Sequence, residues 1–67
     1  MEKNKAIESI KEIRKREDHH YQRTIWCREK NLVLDIIFHQ QMEQELRRLA
    51  SKIEDIFETG YISINKD

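Results

Sequence analysis

The sequence predicts an all-α protein, a helical hairpin of two long helices that packs as a dimeric bundle. Three observations carry this reading. The chain has 67 residues, no proline and a single glycine, Gly60, so loop and hairpin punctuation is missing over the first 59 positions. Apolar residues recur at steps of three and four, most clearly over 42–56. A chain this short also buries little of its own surface, and association is the common remedy.

The first element is expected over 4–17. Asn4 is a candidate N-cap. Ala6, Ile7, Ile10 and Ile13 form a narrow apolar stripe, and Glu8–Lys11 and Glu12–Arg16 are spaced to pair along the surface. The stripe then fades, which predicts a departure from the packing partner or a bend near 17–21.

The second stretch, 21–38, is ambiguous. Thr24-Ile25-Trp26-Cys27 and Leu32-Val33-Leu34 are rich in β-branched, aromatic and apolar residues, and Arg28-Glu29-Lys30-Asn31 separates them. An α+β fold with a short β-hairpin at 22–38 between two helices is the alternative. Against it, the connector has no glycine and only one good turn residue, Asn31. Leu32, Val33, Ile36 and Ile37 also fit a buried helical face, which Leu34 and Phe38 widen to most of the circumference.

The third stretch, 39–59, carries a heptad seam. Met42, Leu46, Leu49, Ile53 and Ile56 alternate steps of four and three, as in a coiled coil. Gly60 is expected at the left-handed position that ends the helix, with Tyr61 packing back on Ile56. Residues 1–60 are thus expected to be a single helical domain and 61–67 an extended C-terminal tail. The first segment would fold against one long helix covering the other two. Two such hairpins would bury the remaining apolar side in a four-helix dimer.

Lysine and arginine total 13, as do aspartate and glutamate, which argues against a whole-chain field selecting nucleic acid or membrane. The distribution is uneven. Residues 11–30 carry seven basic and four acidic side chains, and residues 31–67 carry four basic and seven acidic ones. That polarity favours antiparallel self-pairing or an oppositely charged partner patch. Cys27 is the only cysteine, the first residues lack an apolar signal core, and no apolar run approaches a bilayer span. Together these predict a cytoplasmic protein, or one in the host cytoplasm if viral, with no membrane partner.

Catalytic chemistry finds little footing. One glycine rules out Gly-rich phosphate loops. His19 and His20 are adjacent and point about 100° apart on a helix, so they do not share an ion from one face. Asp35, His39 and Glu43, spaced i, i+4, i+8, offer a helix face for a divalent cation, but further ligands would be needed. His39 also has the placement of a phosphotransfer histidine, without a supporting motif. Cys27, beside Ile25 and Trp26, reads as a small core residue rather than a nucleophile. No catalytic residue, metal site or cofactor is therefore assigned.

Binding remains. Tyr21, Arg23, Trp26 and Arg28 are of the types that dominate protein interfaces, and they form the expected partner-binding set. Met42, Leu46, Leu49, Ile53 and Ile56 form the expected dimer or core seam. The leading expectation is a non-enzymatic module that pairs with itself and regulates or inhibits an unidentified protein by occupying its surface. The alternative is a small dimeric nucleic-acid-binding regulator using 11–30, with Arg14, Lys15, Arg16, Arg23 and Lys30 on the phosphates.

Overall fold

The computed structural model describes residues 2–64, and they form two α-helices, α1 (Lys3–Glu29) and α2 (Val33–Phe57), packed as an antiparallel hairpin. The expected helical hairpin is the observed fold. The β-hairpin alternative is excluded, because 22–38 is the end of one helix, a tight turn and the start of the next. The bend expected near 17–21 is absent, and α1 runs straight through it for 27 residues.

The reason lies in the seam. The side chains of α1 turned toward α2 are Ala6, Ile10, Arg14, Glu17, His20, Thr24 and Cys27, at unbroken steps of three and four. The apolar stripe fades at Arg14 because the seam turns polar there; the helix does not stop. Its start is also earlier than expected. Glu2, with extended backbone, precedes the first turn, and Asn4 lies inside it.

The turn is built by Asn31. Its φ of 57° is left-handed, a region asparagine tolerates better than most residues with a Cβ. Leu32 N–H donates to the Cys27 carbonyl and Asn31 N–H to the Arg28 carbonyl, the paired closure of a Schellman motif. Ile36 N–H already donates to the Leu32 carbonyl, so α2 begins at once. Replacing Asn31 by valine is expected to cost about 1–2 kcal/mol, and by glycine almost nothing, in urea melts followed by circular dichroism.

The same closure ends α2, two residues earlier than expected. Glu58, at φ 54°, takes the left-handed position, with Thr59 N–H on the Glu54 carbonyl and Glu58 N–H on the Asp55 carbonyl. Gly60 also has positive φ, at 73°, and turns the chain back so that Ile62 docks on the helix pair. The last three residues of the expected tail lie outside the described residues.

Candidate interaction surface

The hairpin is polar where its helices meet and apolar on much of its outside. Among the described residues the fully buried hydrophobics are Ala6, Ile10, Cys27 and Ala50, and Arg14, Thr24, Glu43 and Glu54 are buried beside them. A hydrogen-bonded ladder crosses the seam. At one end Arg14 Nη2 donates to Glu54 Oε2 at 3.0 Å, and Arg14 Nη1 to Glu17 Oε1 at 3.1 Å. Arg47 Nε reaches Glu17 Oε2 at 2.9 Å from a largely exposed position, so it adds little. Nearer the turn, Thr24 Oγ1 lies 2.8 Å from Glu43 Oε2 and 2.9 Å from its own helix's His20 carbonyl. Beside them, the Nδ1 atoms of His20 and His39 meet at 2.7 Å, so one ring donates to the other.

Arg14 also organises the C-terminal segment. Its Nε donates to the Ile62 carbonyl, Ile62 N–H donates to Glu54, and the guanidinium lies 4.4 Å from the Tyr61 ring centroid. Burial works against the Arg14 charge, but its bonds to Glu54 and Glu17 outweigh that and raise its pKa further. The expected role of Arg14 on nucleic-acid phosphates is thereby corrected: it is only 5% exposed and holds the fold together.

The His20 pKa is lowered by burial first, and then by the neighbouring His39 and His19 rings; Glu43 opposes the shift. The unfolded chain therefore takes up a proton at His20 before the folded one does. Stability from this group is full above the ordinary imidazole pKa of 6.5 and falls as pH drops through that value toward the lower folded one. Urea midpoints measured between pH 5 and pH 8, roughly the window of histidine titration, are expected to rise with pH, and His20→Gln is expected to flatten that rise.

The apolar exterior has two parts. Near the turn, Ile25, Trp26, Leu32, Val33, Leu34 and Ile37 are exposed. Along one flank of α2, Phe38 (52% exposed), Leu49 (46%) and Ile56 (73%) line up with half-buried Met42 at helical spacing. The expected seam is thus split. Leu46 and Ile53 turn partly toward α1, Leu49 and Ile56 face outward, and Glu43, Ala50 and Glu54 hold the innermost positions. Tyr61 is itself 73% exposed and lies on Arg14, so its expected packing against Ile56 is replaced by a cation–π contact.

The expected partner-binding residues do not share one patch. Tyr21 lines a shallow depression with Arg14, Asp18, Arg47 and Tyr61. Trp26 lies with Arg23 and Lys30, whose charges sit 4.6 and 5.8 Å from its ring centroids. Arg28, like Lys15, Arg16, Arg23 and Lys30, is exposed. Sequence reasoning missed the tip formed by Leu32, Val33 and Leu34 and the outward turn of Phe38, because their spacing assigns them to a wide buried helical face. The signal was present: apolar residues around most of the helix circumference exceed what one neighbouring helix covers.

Cys27 is a free thiol, 1% exposed, which fits the expected packing role. Of the Asp35–His39–Glu43 face, Asp35 is exposed, His39 bonds His20 and Glu43 bonds Thr24. Among the described residues no set of three or more His, Cys, Asp or Glu side chains is placed to hold a metal ion. No described helix is long and apolar enough to cross a membrane. No family model, curated protein or solved structure matches the chain.

Proposed function

We propose that the chain is a non-enzymatic helical interaction module of the cytoplasm, pairing with a second copy and regulating or inhibiting a partner protein by covering part of its surface. One observation carries the reading: large apolar side chains are displayed outside, while the contact between the helices buries mostly small apolar residues together with ion-paired and hydrogen-bonded polar ones. Monomeric proteins rarely leave contiguous apolar patches of this kind uncovered. The flank of Phe38, Met42, Leu49 and Ile56 suits a coiled-coil contact with its own copy. The tip of Leu32, Val33, Leu34 and Ile37, flanked by Trp26, is left for the partner.

Sedimentation velocity across roughly 1–100 μM, the range of ordinary dimer affinities, tests the pairing. A dimer is the expected species, and a monomer throughout the range counts against it.

A second reading rests on a separate feature. Arg16, His19, Arg23, Trp26 and Lys30 recur at steps of three and four along the exposed side of α1, with Arg23 on the indole. Cations interleaved with an aromatic suit phosphates and an unstacked base. Retention of labelled single-stranded RNA or DNA at low salt, falling steeply as salt rises, would favour it. No retention would remove it.

A further inference from the structure

The geometry points to a divalent transition-metal site at the His20–His39 pair, in which the two Nδ1 atoms chelate one ion across the helix contact. The rings come from different helices, and their Nδ1 atoms already converge to 2.7 Å with ring centroids 5.0 Å apart; for both to ligate, the donating ring takes its other neutral tautomer, with its proton on Nε2. Imidazole nitrogens are ligands that zinc, nickel and copper ions recruit. With metal–nitrogen bonds of about 2.0–2.1 Å, two nitrogens 2.7 Å apart subtend about 80° at the metal. A right angle needs about 2.9 Å and a tetrahedral one about 3.3 Å. Tetragonal or octahedral cis coordination thus needs an opening of only about 0.2 Å, which makes nickel(II) or copper(II) the better fit.

The surroundings agree. His20 and His39 are each half-buried, so the rings are held by packing yet reachable by a hydrated ion. The Phe38 ring stacks edge-on against both and restricts their rotation. Glu43, one turn beyond His39 and turned into the seam by Thr24, supplies negative charge nearby. Among the described residues no third side chain completes a cage, which leaves the remaining positions for water or another donor. Such an open site is one a ligand can enter.

The test uses the full chain, stripped with chelator and titrated with nickel(II) chloride at about pH 7.5, where free imidazoles are neutral. Calorimetry is expected to show one ion bound per chain. In NMR spectra of the unaltered protein, paramagnetic broadening should strike the His20 and His39 ring protons first. His39→Ala and His20→Ala are each expected to weaken binding at least tenfold, whereas His19→Ala, one residue away on the exposed side, should leave it unchanged. Circular dichroism establishes that each variant is folded, and the broadening pattern decides the matter if one is not. Broadening that spares His20 and His39, or equal affinity in their folded alanine variants, overturns the assignment.

Discussion

Arg14→Ala is expected to destabilise the hairpin by about 3–5 kcal/mol, the usual consequence of removing one partner from a buried ion pair. Glu54 would be left 7% exposed, with the Ile62 N–H as its remaining partner among the described residues. The variant also loses the bond to the Ile62 carbonyl and the Tyr61 contact, so the C-terminal segment should come away with it. Domains of this size are stable by about 3–10 kcal/mol in total, so the loss is a large fraction of the whole. Urea denaturation followed by circular dichroism at 222 nm (a helix signal, about 220 nm in round terms) measures it. Replacing both partners, as Arg14→Leu with Glu54→Leu, is expected to recover most of the stability, because two apolar groups leave no orphaned charge. A loss below about 1 kcal/mol for Arg14→Ala would mean that water reaches this pair as freely as a surface one.

Leu49→Glu is the second large effect, and it falls on association rather than on folding. Leu49 lies outside the helix contact, near the middle of the exposed flank of α2. In a two-fold dimer each substitution occurs twice. Pairing can newly bury only the 46% of Leu49 that is exposed, about 0.7–1.4 kcal/mol for each of two leucines, so the substitution weakens pairing by about 1.5–3 kcal/mol, or a factor of roughly 10 to 10². The carboxylates add a desolvation cost in the same direction. Sedimentation equilibrium should find Leu49→Glu monomeric at concentrations where the parent chain is paired, with helix content retained when the variant is concentrated. An unchanged dimer would place the contact on another face. Substitution of Val33, at the turn, 63% exposed and about 160° around α2 from Leu49, is expected to leave pairing intact and to affect partner capture instead.

These expectations differ in how much of them the sequence made legible. The two-helix architecture was readable, because an unbroken run without proline and a strong heptad pattern leave little else. The position of the turn was readable in principle from Asn31, the one residue between 28 and 32 suited to a left-handed backbone. Apolar spacing does not point to it, because the apolar stripe of the first helix fades at Arg14, well before Asn31. Periodicity analysis follows apolar side chains, and Arg14, Glu17, His20 and Thr24 continue the seam with hydrogen bonds instead. The same substitution of polar for apolar contacts shifted the second helix. Its most regular apolar row, taken for the inner seam, stands partly on the outer flank, while Glu43 and Glu54 occupy the inside.

What the sequence determined by itself is therefore the helical class, the surplus of apolar surface and the absence of a phosphate-binding loop, since each follows from composition and local spacing. Which faces meet was decided only by the tertiary structure. A glutamate or histidine is tolerated inside when a specific partner satisfies it, and that partner lies on the other helix, 19 residues away for His20 with His39 and 40 for Arg14 with Glu54. Pairings over such separations depend on how the two helices are rotated and aligned against each other, which local spacing does not encode.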